Sequence, residues 1–394
     1  MMGSLSMLPR ERVLTALNHE EPDRVPIDLG STRVTGICLG AYAGLLRALG
    51  LRPRESRVVD RSQGLAGPDE DVLEALGVDF RPVWTNPPSG GEAPIVQEGE
   101  YEVYVNEWGC RVKRPRGGGL YFDLVEPAIK EPSLEALESF RWPDVDDPAR
   151  YDGLRERARR LREETPYALV GHCDFGQDVL GFFLGVRGYT EAMLDLAAHP
   201  DFAEAFMDGV AQLAVRAWGH FLEQVGDLVD VVAFYDDLGM QDRPLVSPTM
   251  YRRMIKPRHG RIIAAIRERT RAKVFFHSDG AVGEFIPDLI EMGVDILNPV
   301  QVSAADMGDT AVLKKRYGRN LVFWGAACDS QTILPRGSLE DVREESRRRI
   351  ADLAPGGGFV FAPIHNIQND VAGEKTLALY QTAREAGRYP VAAP

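Results

Sequence analysis

Cysteine is scarce: the 394 residues contain four, Cys38, Cys110, Cys173 and Cys328, and no two form a CxxC pair. That number and spacing exclude a disulfide scaffold and a zinc ribbon, so each thiol reads first as a small, reduced, buried hydrophobe. Basic blocks are also missing. With a formal net charge of −13 and no Lys/Arg-rich face, the chain has nothing with which to neutralise phosphates, which argues against a nucleic-acid partner. No apolar run approaches the ~18–20 residues needed to span a bilayer. The start MMGSLSMLPRER lacks the apolar core of a secretory leader, and the expected location is cytoplasmic, with no membrane partner. What is present is a globular composition, 44% hydrophobic and 27% charged, which supplies a large core and excludes wholesale disorder.

Apolar runs of strand length alternate with amphipathic stretches, the pattern of a parallel sheet wrapped in helices. Eight runs are found: Val25–Leu29, Asp79–Val83, Tyr167–His172, Val229–Asp236, Lys273–His277, Asp295–Val300, Leu321–Ala326 and Gly358–Ile364. Between them lie helices with legible ends, such as Gly283–Met292 stopped by Gly293, and one that starts at Ser338 with Asp341 three residues on and ends before PGGG. Eight βα units favour an α/β fold closed as a single (β/α)8 TIM barrel over residues 1–394. One stretch departs from the pattern. Between the early strands, residues 95–125 alternate around a Gly-rich turn and predict an inserted β-hairpin that serves as a flap. The Pro- and Asp-rich segment Pro127–Tyr151 reads as an extended surface connection.

In such a barrel the strand ends carry the chemistry, so polar residues just after an apolar run are the candidates. Those runs end in Asp28, in His172 and Asp174, in Tyr235, Asp236, Asp237 and Gln241, and in His277 and Asp279; later ones end in Asn298 and Gln301, Cys328 and Asp329, and His365 and Asn366. A single polar residue at such a position is more often a helix cap. Caps favour Ser, Thr, Asp and Asn, however, and have no use for imidazoles and a thiol. Asp237 and Asp279 are therefore candidate proton-transfer groups. Arg33, His172, Asp174, Tyr235, Asp236, Gln241, Asn298, Gln301 and Asn366 are candidate substrate contacts. Neighbours on an extended strand point to opposite sides, so at most one of Asp236 and Asp237 faces the pocket, and the other caps a helix or pairs outward.

His277, Cys328 and His365 fall on three different strand ends, and two imidazoles with a thiolate suit Zn2+, with Asp279 available as an oxygen ligand. Three protein ligands and an exchangeable position make a catalytic zinc site. Spacing alone leaves a second reading open, a metal-free site in which the same histidines hold an anionic or hydroxylated substrate.

The motifs VVAFYDDLGMQ, HSDGAVGEFIPDLIEMGVDILNPVQ, GAACDSQTILPRGSLEDVR and PGGGFVFAPIHNIQNDV, with the opening PRERVLTALNHEEPDRVPIDLG, resemble the uroporphyrinogen decarboxylase superfamily in its methyltransferase-like branch. The resemblance covers nearly the whole chain and implies a TIM barrel. The RQAGR motif with which true decarboxylases of that superfamily hold the tetrapyrrole is replaced here by RERVLTALNHEEPDR, and the SDI-type segment is absent, so the resemblance does not imply haem-pathway decarboxylation. It implies a zinc-dependent methyltransferase or demethylase that moves a methyl group between a small methylated substrate and a corrinoid or other acceptor. Relatives of that branch bind zinc through an HxC element and a later Cys. Here His277 matches the first position, Asp279 stands at the second, His365 lies in the region of the last, and Cys328 offers a replacement thiolate. No DxHxxG cobalamin element is present, so a partner corrinoid protein would carry the corrinoid. Homodimers are known in the superfamily and are an expectation here. Two other readings remain: a metal-free decarboxylase or lyase acting on a small carboxylated substrate through Arg33, His172 and His277, and a corrinoid-handling protein without turnover.

Overall fold

The computed structural model describes residues 6–117, 119, 121–176 and 178–391. Seven parallel strands follow one another around a curled sheet in chain order: β1 Phe80–Trp84, β2 Ala168–His172, β3 Val231–Tyr235, β4 Lys273–His277, β5 Ile296–Asn298, β6 Val322–Trp324 and β7 Phe359–Val360. β2 and β3 are buried at every position, as strands covered on both faces must be. The eighth expected run, Val25–Leu29, closes the circle without forming a long strand. Ile27 bridges Phe361 in parallel, Asp28 N donates to Phe361 O at 2.9 Å, and on the other side Asp79 N donates to Ile27 O at 2.9 Å. The result is a (β/α)8 barrel.

Side-chain alternation sorts each strand into an inward and an outward set. The inward set forms its own apolar cluster, including Phe80, Val170, Ala233, Phe275, Ile296, Trp324 and Val360. Trp324 lies at its centre, 4.5 Å from Phe80 and 5.3 Å from Phe275 between ring centroids. Val13 and Leu17 of the helix Pro9–Leu17 join the same cluster. The outward set meets the helices, among them the 26-residue Pro200–Val225, which packs on Lys256–Arg267. Helix Leu339–Leu353 begins at the predicted cap, with Ser338 N donating to Asp341 Oδ2 at 2.7 Å and Asp341 N to Ser338 Oγ at 3.2 Å. The predicted Gly283–Met292 helix starts as a tight turn and becomes regular over Ile286–Glu291. Among the described residues no helix is long and apolar enough to cross a membrane.

The insertion is larger than a hairpin. It is a four-stranded antiparallel sheet of Val96–Glu98, Tyr101–Val105, Arg111–Pro115 and Asp123–Glu126; part of its Gly-rich turn, residues 118 and 120, lies outside the described residues. Two strands were missed because Val96–Glu98 is wholly exposed and gives no alternation signal. The sheet is anchored by Trp108, whose ring lies 4.4 Å from that of Phe182, and by the buried Cys110. The connection after it is not simply extended, since Leu134–Glu138 forms a short helix capped by Ser133.

Closure of the barrel converges on Asp79, whose side chain is fully buried. Its carboxylate accepts from Arg12 Nη1 at 2.7 Å, Arg24 Nη1 at 2.8 Å and Nη2 at 2.9 Å, and Ile27 N at 2.8 Å. Removing one partner of a buried ion pair strands the other charges, so Asp79→Ala is expected to cost about 3–5 kcal/mol. Urea unfolding checks this: an unchanged midpoint would show that closure does not depend on this carboxylate.

Candidate active site

The inward parity that builds the core also sets the rim. Tyr235 pairs in register with His277, and His277 with Asn298, so their side chains meet at the C-terminal end of the strands. Rings follow one another around this rim: Trp84 to His172 at 5.2 Å, His172 to Tyr235 at 5.1 Å, Tyr235 to His277 at 5.6 Å and His277 to His365 at 5.9 Å between centroids.

The tautomer of His277 follows from its neighbours. Asn298 Nδ2 donates to Trp324 O at 2.9 Å, which leaves Asn298 Oδ1 to accept from His277 Nδ1 at 2.7 Å. The ring proton therefore sits on Nδ1, and the Nε2 lone pair points into the mouth. There Nε2 lies 3.7 Å from Asp237 Oδ1 and 3.8 Å from Asp279 Oδ2, and His365 Nε2 lies 3.8 Å from the same Asp279 oxygen. Among the described residues His277, Asp279 and His365 form a group whose ligand atoms all lie within 4.8 Å of one another. Asp279 Oδ1 is buried without a hydrogen-bond partner. Burial raises the Asp279 carboxyl above its ordinary range against the pull of His277 and His365, and burial lowers His365.

Glycine positions this group. A Cβ on Gly239 would stand 2.6 Å from Asp279 O, and one on Gly280, at φ +87°, would stand 2.5 Å from the Gly239 carbonyl carbon. Only glycine lets these two loops cross so closely. Gln301 then accepts from Gly280 N at 2.7 Å and donates to Gln241 Oε1 at 3.2 Å, and Asp237 Oδ1 accepts from Asp279 N at 3.0 Å. Asp237 is exposed at the mouth, as its candidacy requires.

The other side of the rim is an ion-paired wall. Arg33 lies over the Trp84 ring at 5.0 Å, 3.1 Å from Asp174 Oδ1 and 3.8 Å from Asp60 Oδ2. Thr85 Oγ1 donates to Asp174 at 2.9 Å, and Tyr235 Oη shares a 2.9 Å hydrogen bond with His172 Nδ1. Burial opposes a charge on Asp174, yet Arg33 and His172 outweigh it and hold the carboxyl well below the usual range; His172 itself is lowered by burial.

Three candidates sit elsewhere. Cys328 is not brought to His277 and His365. Extended backbone ends at Gly325 (φ 116°) and Ala326 (φ 62°), which breaks the alternation, and Cys328 enters the outer apolar layer. Its neighbouring charges are Glu345 and Arg349 of the helix Leu339–Leu353 with Asp329 and Lys375, and burial raises its thiol. Asp236 points outward, where it accepts from Leu180 N and Gly181 N at the start of helix Val179–Arg187 and lies 2.8 Å from His259 Nε2. It is a buried cap rather than a substrate contact. Asn366 borders the mouth, but its amide is committed to Gly36 N, Arg33 O and Gln63 Oε1; it positions the Arg33 loop.

The sequence reading missed Tyr121, which the insertion brings to the mouth beside Asp279 and His365. Its signal was the alternating segment after the Gly-rich turn. Asp178 was also missed: it sits at φ 60°, with its carboxyl raised by burial and by Asp236 and Asp237. Two cavities open at the rim. One of about 740 Å3 borders Arg33, Trp84 and Asp174; one of about 290 Å3 borders Asp279 and His365. Of these two, the smaller contains Asp279 and His365 of the imidazole–carboxylate group, and the larger contains none of that group.

A TIM barrel with two imidazoles and a carboxylate gathered at its strand ends defines the class of protein. The model of the uroporphyrinogen decarboxylase (URO-D) family matches residues 103–386, and the chain belongs to that family, one of enzymes. Among solved structures, a methyltransferase from Methanosarcina mazei superposes with a TM-score of 0.63 at 17% identity, over 96% of this chain and 99% of that one. A B12-independent methionine synthase from Shewanella sp. W3-18-1, in complex with selenomethionine, matches over 79% of this chain and 83% of its own at 12% identity, with a TM-score of only 0.40. The first supports the fold; the second is too distant to bear on this chain. Among curated proteins no sequence matches significantly.

One buried acid gives a pH test. Burial pushes Asp28 up to about 6, against hydrogen bonds that include Trp324 Nε1 to Oδ2 at 3.0 Å and Ser31 N to Oδ1 at 3.2 Å. A carboxyl raised in the folded state stabilises fully below its unfolded value near 4, and that contribution is lost as pH rises through 6. The stability of the native chain relative to Asp28→Asn should therefore fall by about 3 kcal/mol between pH 4 and pH 7. Urea unfolding of both proteins at the two pH values measures it; a flat difference would place the Asp28 carboxyl at its ordinary value.

Proposed function

We propose that this chain is a zinc-dependent methyltransferase or demethylase that moves a methyl group between a small methylated substrate and a corrinoid or other acceptor. The observation that carries the reading is the His277–Asp279–His365 group, with Asn298 directing His277 Nε2 toward the other two. Two atoms that each bind one zinc at about 2.0–2.2 Å lie at most about 4.4 Å apart; the 3.8 Å spacings of Asp279 to both imidazoles fall within that limit, and the three ligand atoms together lie within 4.8 Å of one another. The unpartnered, buried Asp279 oxygen is costly unless a cation meets it. His277, Asp279 and His365 are thus the ligand set, in place of the expected His277, Cys328 and His365.

Zinc held there would act as a Lewis acid, polarising a methyl-bearing oxygen or lowering the pKa of a thiol. The chain's own groups do the rest. Asp237, exposed beside His277, supplies or takes the leaving-group proton. Tyr235 and His172 form a rigid floor through their shared hydrogen bond, and the amides of Gln241 and Gln301 fix the loop that carries Asp279. The corrinoid is carried by a separate partner protein. The alternative is a metal-free decarboxylase holding a carboxylate on Arg33 and His172; it draws on Arg33 Nε and His172 Nε2, which are buried without hydrogen-bond partners, but the Arg33 charge is already met by Asp174 and Asp60.

Full-length protein purified without chelators is expected to retain about one zinc per chain. His277→Ala, His365→Ala and Asp279→Ala should each abolish retention, and Cys328→Ser should leave it intact. Asn298→Ala, which frees the His277 tautomer, is expected to weaken zinc binding about 10–100-fold. Metal analysis with competition titration reads all five. Metal-free protein that releases CO2 from a carboxylated substrate would displace the methyl-transfer reading. Stable corrinoid-protein binding without transfer from any donor would make the chain a handling protein instead.

A further inference from the structure

The cavity that meets the imidazole–carboxylate group has a distinctive wall. Its lining includes Tyr121, Gln241, Gln301 and Gln368 with Asp279 and His365, and among the described residues holds neither lysine nor arginine. Its volume, about 290 Å3, falls at the lower end of small-molecule sites, which run from roughly 300 to 1,000 Å3. At about 30 Å3 per water it replaces roughly ten waters.

Charge then decides what fits. Apart from the Tyr121 phenol, the only charged or titratable side chains that line the cavity among the described residues are Asp279 and His365, so the wall itself offers no fixed cation to an anion. Arg33 borders the other cavity and is already matched by Asp174 and Asp60. An anionic ligand in the smaller cavity would lose its hydration without gaining a cation beyond the metal. Hydrogen-bonding capacity for an uncharged ligand is present instead. Gln241 Oε1 accepts from Gln301 Nε2, while the Gln241 NH2 group has no protein acceptor among the described residues. The Tyr121 hydroxyl stands at the same wall.

We infer that the molecule presented to the metal is small, uncharged and hydrogen-bonding, of the alcohol, ether, amide or neutral-thiol type, and not a carboxylate or sulfonate. This rests on the metal reading above and names the substrate class of the same site.

Full-length protein loaded with cobalt(II) tests it through the visible absorption of the ion. Two thiol probes share the donor atom and differ in the tail: 2-mercaptoethanol ends in a hydroxyl and 3-mercaptopropionate in a carboxylate. The neutral thiol is expected to bind about tenfold more tightly, a difference of about 1.4 kcal/mol. Gln241→Arg, which adds a cation to the wall, should raise the carboxylate probe to at least the affinity of the neutral one, and Gln241→Glu should weaken it further. Cobalt content per chain verifies that each variant is folded at the site. Equal or tighter binding of the carboxylate to the native chain, with cobalt retained, would overturn this inference alone. An order of affinities that Gln241→Arg leaves unchanged would also overturn it. Failure of the native chain to take up cobalt would overturn it together with the metal reading.

Discussion

A buried carboxylate holds the barrel shut. The sheet has seven well-paired strands and an eighth segment that touches its neighbours through a few main-chain bonds, so ladder hydrogen bonds alone would close it weakly. Asp79 compensates by joining the first helix through Arg12 and the closing segment through Arg24 and Ile27 N. Such a cluster is strong only when every partner is present. The same closing segment leads into the loop that carries Arg33, which Asn366 grips from the far side of the seam. The geometry of the mouth therefore depends on closure below it.

Above the seam, two kinds of electrostatic environment share one rim. Around Arg33, opposite charges are matched at short range. Around Asp279, a carboxyl group faces two imidazoles, one of its oxygens has no hydrogen-bond partner, and no lysine or arginine borders the cavity among the described residues. That asymmetry is what the proposed metal site rests on. It also distinguishes two cavities that differ more than twofold in volume, the smaller of which borders Asp279 and His365.

Much of this was legible in the residues. The apolar runs marked all eight barrel positions, and Ser338 with Asp341 marked a real helix start. The period of two also restricted the Asp236–Asp237 pair to one inward member, and Asp236 is indeed the outward cap. The reading fell short where extended backbone ends. Alternation carried forward from Trp324 would turn Cys328 inward, but Gly325 and Ala326 take positive φ values and the parity is lost within two residues. Asp279 and His365 lie on loops whose paths are set by contacts with other strand ends, such as the crossing of Gly239 and Gly280. The exposed strand Val96–Glu98 left no apolar trace, and the insertion read as a hairpin instead of a sheet.

The sequence by itself determined the barrel, the family resemblance and the inward face of each strand, because strand periodicity and helix capping are local and repeat every few residues. Tertiary structure decided which strand-end groups meet. It brought Asp279 into the His277 and His365 group and sent Cys328 to the outer layer, because those positions follow from loop crossings and positive-φ turns, which no local period encodes.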